Sequence, residues 1–386
     1  MNSLQINQEK TTRYLQEMVK INSVNPDLYP GAPGEAEVVA WLADTCDALG
    51  LELDIQDTAP GRPNLIAKWR GLRPGKSLLL TGHTDTVSVE NMHGNPFSGN
   101  VMGGRLYGRG SMDMKGGIAA ILGAVDALIE DGFQPLNDVY LGFVTDEEYA
   151  SIGMEALVKR IQPAAAILTE PTGMDICIAH KGFAWLTVTT SGEAAHGSLY
   201  DTGIDAIRMM GLVLGELQRL EREVYPADPP HELLGRSSVH ASTITGGLGL
   251  STYPDHCILR LEHRLLPHET GRMIVAEWEQ AFDRIRKEEP AFDAIVDLDL
   301  WRPGYDISRQ APIVRTLHEA YVKILEAEPN YSGMRAWLDS AVLDVAGIPT
   351  VIFGPGGKGM HAAEEYVELA DVFKCAAVIA EAIQQW

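Results

Sequence analysis

Cysteine, basic charge and long apolar runs are all scarce in this chain. The four cysteines are far apart and form no Cys-x-x-Cys pair, so they indicate thiols in a reducing compartment rather than a disulfide framework. No uninterrupted apolar run approaches the roughly 20 residues of a membrane-spanning helix. The N-terminal residues lack a basic segment followed by an apolar stretch, which argues against a signal peptide. We therefore expect a cytoplasmic protein.

The charge of the chain is strongly one-sided. The formal net charge is -22, and no run of basic residues interrupts the acidic excess. Nucleic-acid binding and attachment to an anionic membrane both need a positive surface, so we expect neither partner. The acidity does not identify a substrate, because a solvated acidic surface explains it equally well.

The length of 386 residues, with 45% hydrophobic and 22% charged residues, is typical of a globular protein with two domains. Strand and helix patterns alternate in the first half and again near the C-terminus, which predicts a mainly parallel, helix-flanked sheet of the α/β class. The predicted strands are 64–69, 77–81, 139–145, 164–169 and 349–353, and the predicted helices are 6–20, 35–49, 114–131, 311–327, 338–346 and 368–385.

A block of different character lies between these two parts. Its patterns follow the order β-α-β-β-α-β, with strands at 183–191, 239–245, 257–265 and 294–300 and helices at 203–223 and 269–288. This order is the ferredoxin-like arrangement. We therefore predict a catalytic domain formed by 1–180 and 302–386, with a ferredoxin-like domain inserted at 181–301.

Acidic and histidine side chains follow the ends of short apolar runs throughout the predicted catalytic domain. They are His83, Asp113, Glu147, Glu148, Glu170 and His361. In an open α/β sheet, the loops that leave the carboxyl ends of the strands share one crevice, so these side chains can meet. Imidazoles and carboxylates together are the ligands of a two-metal hydrolytic centre.

Each of these residues also has an ordinary interpretation. His83 can be a loop histidine beside a turn residue, Asp85, or a ligand whose ring Asp85 orients. Asp113 precedes a predicted helix and can cap it. Glu147 and Glu148 are consecutive, which is typical of a solvated loop unless a cation offsets their repulsion. The joint pattern of donors at several strand ends favours the metal site.

At these residues the chain resembles the acetylornithine deacetylase and succinyl-diaminopimelate desuccinylase family of zinc metallohydrolases, which includes aminoacylases and glutamate carboxypeptidases. Matching stretches occur in family order from residue 82 to residue 365. They are Gly82-His-Thr-Asp, Gly108-Arg-Gly-Ser-Met-Asp-Met-Lys-Gly-Gly, Thr145-Asp-Glu-Glu, Thr169-Glu-Pro-Thr, His180-Lys-Gly, Ala195-His-Gly and Gly357-Lys-Gly-Met-His-Ala-Ala-Glu-Glu.

The resemblance implies a role for each residue of the set. His83 and Glu170 would bind one zinc ion, Glu148 and His361 would bind a second, and Asp113 would bridge the two. Glu147 would act as general base, and Asp85 would orient His83. Co²⁺ or Mn²⁺ are possible substitutes for zinc. The inserted domain would act as a lid and a dimerisation surface.

Substrate contacts are also implied by the resemblance. His196, in the inserted domain, would stabilise an oxyanion, often across a dimer interface, and Arg264 would bind a substrate carboxylate. Their ordinary interpretations are a polar turn residue and a strand residue in a salt bridge. The glycines around Gly356 would let the backbone approach a substrate or turn sharply before His361.

The chain departs from the family pattern at two places where a substrate would be sensed. Ser251 replaces a common asparagine, and Trp337-Leu-Asp-Ser-Ala replaces the usual Gly-Thr-Asp-Ala. The expected function is therefore hydrolysis of a small N-acyl amino acid by a two-zinc homodimer, with the specificity open. A dipeptidase or carboxypeptidase of the same family is one alternative, and a non-catalytic metal-binding relative is another.

Overall fold

The computed structural model describes residues 4–386 in two units. The first unit takes in the chain up to Ile178, together with Ile307–Ser332 and Leu338–Trp386. The second unit consists of Ala179–Asp306 and Gly333–Trp337. The predicted boundaries of the inserted domain, at 181 and 301, stay a prediction.

The helices are α1 Gln8–Lys20, α2 Ala36–Ala48, α3 Gly116–Glu130, α4 Ile152–Arg160, α5 Ala206–Arg219, α6 Tyr225–Ala227, α7 Gly271–Glu288, α8 Pro312–Leu325, α9 Ser340–Val345 and α10 Leu369–Gln385. The strands are β1 Glu52–Ala59, β2 Arg62–Trp69, β3 Leu78–His83, β4 Asn100–Met102, β5 Arg105–Tyr107, β6 Val139–Val144, β7 Ala165–Leu168, β8 Ile176–His180, β9 Gly182–Ser191, β10 Ser238–Gly246, β11 His256–Leu265, β12 Asp293–Arg302, β13 Tyr305–Asp306, β14 Tyr331–Met334, β15 Thr350–Ile352, β16 Gly357–Lys358 and β17 Tyr366–Glu368. One-turn π-helical segments occupy Ser111–Lys115 and Leu220–Val224.

A mixed sheet with the strand order β1-β2-β6-β3-β7-β15-β8 forms the centre of the first unit. The pairs β6–β3, β3–β7 and β7–β15 are parallel, and every residue of β3 is buried. The α/β class is thus confirmed. The sheet is mixed rather than mainly parallel, because the pairs β1–β2, β2–β6 and β15–β8 are antiparallel.

A smaller antiparallel sheet in the same unit, of order β16-β17-β5-β4, supports the loops that follow β5 and precede β17. Glu365, just before β17, lies fully buried between these loops. Its carboxylate accepts hydrogen bonds from the backbone N–H groups of Gly110, Met112 and Asp113 at 2.9–3.1 Å, and Arg109 Nη1 donates to it at 2.7 Å. Glu365 therefore fixes the loop that carries Asp113.

The second unit contains a four-stranded antiparallel sheet of order β10-β11-β9-β12, with α5 between β9 and β10 and α7 between β11 and β12. Alternate residues of β9 are buried, as expected for a sheet covered on one face. Side chains from both helices and from all four strands form one hydrophobic core. The predicted ferredoxin-like order is confirmed.

A series of hydrogen bonds between polar side chains is enclosed in this core. Trp278 Nε1 donates to His263 Nε2 at 3.0 Å, which leaves the ring proton on Nδ1, 3.2 Å from Tyr225 Oη. Tyr225 in turn donates to Glu277 at 3.1 Å. Burial lowers the pKa of His263 to about 3, so the ring is neutral in the folded protein.

All four cysteines are free and buried. In residues 4–386, no helix combines the length and the apolar character that a bilayer crossing requires.

His263 should make the protein less stable in acid. An unfolded chain binds a proton on this ring near pH 6.5, whereas the folded protein does not until about pH 3. The contribution of His263 to the free energy of unfolding is therefore fully present above pH 6.5, and it falls by about 1.4 kcal/mol per pH unit below that pH. Between pH 6 and 4, urea unfolding of His263→Gln should show a correspondingly shallower loss of stability than wild type. His268→Gln, at an exposed histidine, is the control, and parallel pH curves for wild type and His263→Gln would contradict the assignment.

Glu365→Gln should destabilise the first unit by about 3–5 kcal/mol, because it leaves a buried Arg109 without its counter-charge. Both oxygens of Glu365 face N–H donors, so the glutamine NH₂ group meets a donor in either orientation. Glu364→Gln makes the same change at the adjacent, exposed position and should shift stability by less than about 0.5 kcal/mol. Urea unfolding measures the stability of both variants. Equal stabilities of Glu365→Gln and Glu364→Gln would show that the contacts of the Glu365 carboxylate do not stabilise the fold.

Candidate metal centre

Three neighbouring parallel strands bring predicted ligands to one edge of the central sheet. β3 ends at His83, β6 is followed by Glu147 and Glu148, and β7 is followed by Glu170. Because β6, β3 and β7 are adjacent and parallel, their carboxyl ends open at the same edge. Sequence positions up to 87 residues apart thus become neighbours (83 and 170).

Asp113 reaches the same place from the segment Ser111–Lys115 that precedes α3. The start of α3 lies against the end of β7, since a Cβ atom at Gly117 would lie 2.1 Å from the backbone oxygen of Thr169. Only glycine permits this approach. The residue at the N-cap of α3 is Lys115, not Asp113, so the interpretation of Asp113 as a helix cap is not supported.

His83, Asp113 and Glu170 form one group of potential ligands. Nε2 of His83 lies 3.2 Å from Asp113 Oδ1 and 3.9 Å from Glu170 Oε1, and all three side chains are buried. Oε1 of Glu170 has no hydrogen-bond partner. A buried carboxylate oxygen without a donor, beside an imidazole and a second carboxylate, fits a divalent cation.

Asp113, Glu148 and His361 form the second group. Nε2 of His361 lies 3.3 Å from Asp113 Oδ2 and 3.1 Å from Glu148 Oε2. The two oxygens of Asp113 therefore face different histidines, which is the geometry of a bridging ligand. The His361 side chain is 48% exposed, compared with 1% for His83, so this group is the one that solvent reaches.

Burial and mutual repulsion govern the acidic residues of the centre. Burial, reinforced by the charge of Glu170, raises the pKa of Glu147 well above its usual range. Burial likewise raises the pKa of Glu170 well above normal and that of Glu148 to about 6. A cluster that holds protons this strongly lacks positive charge, and a divalent cation supplies it.

The histidines behave in the opposite way. Burial alone would lower the pKa of His83, but its contacts with Asp113 and Asp85 outweigh burial and hold the pKa well above normal. Hydrogen bonds to Asp113 and Glu148 raise the pKa of His361 to about 10. Burial opposes ionisation of Asp113, yet both histidines keep its pKa below the usual value. Asp113 is thus the anionic centre of the cluster.

Asp85 contacts His83 differently from the sequence-based expectation. His83 Nδ1 lies 3.0 Å from the backbone oxygen of Asp85 and 3.4 Å from its carboxylate. The carboxylate instead accepts the backbone N–H groups of Glu147 and Glu148, at 3.1 and 3.2 Å. Asp85 therefore orients the imidazole mainly through its backbone and fixes the turn of the two glutamates through its side chain.

Gly356 lies just before β16 and packs closely against Asp371 and Gly173. A Cβ atom there would lie 2.8 Å from Asp371 Oδ2 and 3.3 Å from the Cα atom of Gly173. Its predicted contact with a substrate stays a prediction.

The second unit carries the other three predicted site residues. His196 and Ser251 are neighbours, since the N–H of Gly197 donates to the backbone oxygen of Ser251 at 2.8 Å. His196 is exposed and its Nδ1 contacts Ser198 Oγ at 2.9 Å. Arg264 donates to Glu262 at 2.5 Å, as in the ordinary interpretation of a strand salt bridge.

Sequence reasoning missed several residues that shape the centre. Asn25 and Arg62 contact the segment around Asp146, and Glu365 holds the loop of Asp113. Glu365 stands four residues after His361 and closes the family-like stretch that begins at Gly357, and these are the sequence signals that point to it. Asn25 lies in Asn-Ser-Val-Asn-Pro, which reads as an ordinary turn.

Curated relatives match almost the whole chain. An N-formyl-4-amino-5-aminomethyl-2-methylpyrimidine deformylase from Halalkalibacterium halodurans is 27% identical, over 98% of this chain and 95% of the relative. An acetylornithine deacetylase from Aliivibrio fischeri is 28% identical, over 92% of each chain.

Solved structures share the fold. An aminopeptidase PepT from Bacillus cereus has a TM-score of 0.81 at 22% identity, covering 98% of this chain and 99% of the other. A dinuclear metal binding peptidase from Bacillus subtilis has a TM-score of 0.75 at 14% identity, covering 98% of both chains. The family description that matches residues 79–385 is Peptidase family M20/M25/M40. The chain therefore belongs to Peptidase family M20/M25/M40 and is a metal-dependent hydrolase of amide bonds.

Proposed function

We propose that this protein removes a small acyl group from the amine of an N-acyl amino acid or related amide. The observation that carries the proposal is the convergence of two histidines and two glutamates around Asp113, with Glu147 as an additional carboxylate. The names of two relatives, a deformylase and a deacetylase, both describe removal of a small acyl group, which supports this class of substrate.

The proposed centre would hold two divalent cations. Zinc is the proposed metal, with Co²⁺ or Mn²⁺ as possible substitutes. His83 and Glu170 would hold one ion, Glu148 and His361 the other, and Asp113 would bridge them. Such ions supply Lewis acidity to the scissile carbonyl and to the attacking water. The fit rests on the donor set and on the unpartnered oxygen of Glu170.

Glu147 is the proposed general base. It does not belong to either group of potential ligands, and burial raises its pKa, which favours a carboxylate that takes up a proton. Glu147 accepts the proton of the attacking water as the C–O bond forms. It then donates this proton to the amine nitrogen as the C–N bond breaks.

His196 and Arg264 are the proposed substrate-binding groups of the second unit. His196 would donate a hydrogen bond to the oxyanion that forms at the carbonyl. Arg264 would pair with a substrate carboxylate. That carboxylate would have to displace Glu262, to which Arg264 donates a hydrogen bond. Ser251, next to the His196 segment, is the proposed third contact.

We also propose a homodimer, which the outer face of α5 supports. This helix buries Met209, Val213 and Leu217, yet Ile207 and Leu214, which share a flanking face, are 45% and 36% exposed. Exposed apolar residues at helical spacing are typical of an interface. β10 is an outermost strand of the same unit's sheet, and most of its residues are exposed.

A cytoplasmic location is part of the proposal. It rests on four cysteines that are all free and buried, which is typical of proteins in a reducing compartment.

Zinc-loaded protein should hydrolyse N-formyl or N-acetyl amino acids and amines faster than dipeptides. The measurement is a panel of these amides with detection of the released amine, before and after chelation of the metal. Loss of the rate on chelation and its return with zinc are expected. Preference for dipeptides would favour the dipeptidase alternative, and a rate unaffected by chelators would refute the metal mechanism.

Glu147→Gln should lower kcat by about 10²–10⁴-fold, because the amide cannot accept the proton of water. Metal content should remain at the wild-type value, since the metal ligands are unchanged. Elemental analysis and steady-state kinetics measure the two quantities. Glu37→Gln, at an exposed position on α2, is the matched control. Near-wild-type turnover in Glu147→Gln would refute its role as base.

Leu214→Glu should convert the dimer to a monomer, because it places a charge on the apolar face of α5. Sedimentation velocity measures the change. Val345→Glu, at a 77% exposed apolar residue of the first unit, should leave the dimer intact. A monomeric wild-type protein, or a dimer that tolerates Leu214→Glu, would contradict this interface.

A further inference from the structure

A buried asparagine joins two acidic residues beside the proposed base. Asn25 Nδ2 donates to Asp85 Oδ2 at 2.8 Å and to Asp146 Oδ1 at 2.9 Å. Its Oδ1 accepts the backbone N–H of Asp27 at 2.9 Å. The amide is therefore fixed in one orientation, with both N–H groups used by carboxylates.

The first of these carboxylates controls the backbone of the two glutamates. Asp85 Oδ1 accepts the N–H of Glu147, and Asp85 Oδ2, which Asn25 also contacts, accepts the N–H of Glu148. Movement of the Asp85 carboxylate would therefore shift the backbone of the proposed base directly.

The second carboxylate belongs to a residue in an unfavourable conformation. Asp146, immediately before Glu147, has a φ angle of +71°. A non-glycine residue in the left-handed region is strained and persists only where its surroundings impose it. Asn25 and Arg62 Nη2, at 3.0 Å, both donate to Asp146 Oδ1 and supply that constraint.

Charge explains why an amide is needed between the two carboxylates. Asp85 and Asp146 are both fully buried, and two buried anions that share one neighbourhood repel each other. Each N–H of Asn25 is shared with one anion, so the amide offsets part of this repulsion. The guanidinium of Arg62 is already bound by the Glu35 carboxylate, at 2.5 and 2.6 Å, and by Asp146, at 3.0 Å.

We propose that Asn25 is a positioning residue for the general base, acting through Asp85 and Asp146 on the turn that carries Glu147. The inference rests on the proposed function of Glu147. Asn25 lies before residue 79, where the match to the family description begins. The N-terminal segment therefore contributes to the reaction through the backbone of Glu147 and Glu148.

The test compares four variants. Asn25→Ser removes both amide N–H donors and shortens the side chain without adding charge, and Asn25→Asp places a third carboxylate against Asp85 and Asp146. Asn25→Gln keeps the amide on a longer side chain and tests rescue. Asn22→Asp is the matched control, because Asn22 uses only its acceptor oxygen, towards the N–H of Val24 at 3.1 Å, and aspartate keeps that acceptor.

Hydrogen exchange in the metal-free protein is the readout that does not depend on activity. In Asn25→Ser, the amides of Glu147 and Glu148 should exchange at least ~10-fold faster, with β6 unchanged. Asn25→Gln should lie between wild type and Asn25→Ser, and Asn22→Asp should match wild type. Unchanged exchange at Glu147 and Glu148 would overturn the proposal, as would an equal increase throughout β6, which indicates general destabilisation.

Steady-state kinetics provide the second readout. The substrate is the amide that wild type hydrolyses fastest among the N-formyl amides, N-acetyl amides and dipeptides tested above. Asn25→Ser should lower kcat by about 10–100-fold, with KM within about 3-fold and metal content unchanged. In the Glu147→Gln background, Asn25→Ser should not lower kcat further, because the base that Asn25 positions is already absent. A raised KM with unchanged kcat, or loss of metal, would overturn the proposal. If wild type hydrolyses no amide, the proposed function fails, and hydrogen exchange still decides the role of Asn25.

Discussion

Repulsion between buried carboxylates is the constraint on which the rest of this structure depends. Asp85, Asp113, Asp146 and Glu170 are all buried in the first unit, and the glutamates of the centre hold their protons more strongly than usual. Such a cluster is stable only if opposite charge or hydrogen-bond donors surround it. The chain supplies Arg62, His83 and the side chain of Asn25, and it leaves the space between His83 and His361 for cations.

The fold meets this constraint by bringing distant segments to one place. Parallel pairing of β6, β3 and β7 brings three loops to one edge of the sheet, and the small sheet of β5, β16 and β17 brings two more. Glu365 and Asp85 have the same task in these two groups of loops. Each is a buried carboxylate that accepts backbone N–H groups and thereby holds a segment in which a potential metal ligand lies.

Much of this arrangement is predictable from the sequence, because apolar runs identify the strands and the carboxyl ends of parallel strands converge. The β-α-β-β-α-β order of the second unit follows from the same patterns. The contacts of Asn25 do not follow from these patterns, since they join residues far apart in the sequence. The contact of His83 with the backbone oxygen of Asp85 is local, but it depends on the path of the backbone, which sequence spacing does not specify. The hairpin of β1 and β2 is missing from the predicted elements, although Leu53 and Ile55 alternate with polar residues as in a strand exposed on one face.

The unequal burial of the two histidines has a kinetic consequence. His83 is enclosed by the protein, whereas nearly half of the His361 side chain faces solvent. In the proposed two-ion centre, an ion held by Glu148 and His361 would leave by rotation of one exposed ring, whereas an ion beside His83 would leave only if the surrounding core opens. The two positions of the proposed centre would therefore fill and empty on different timescales.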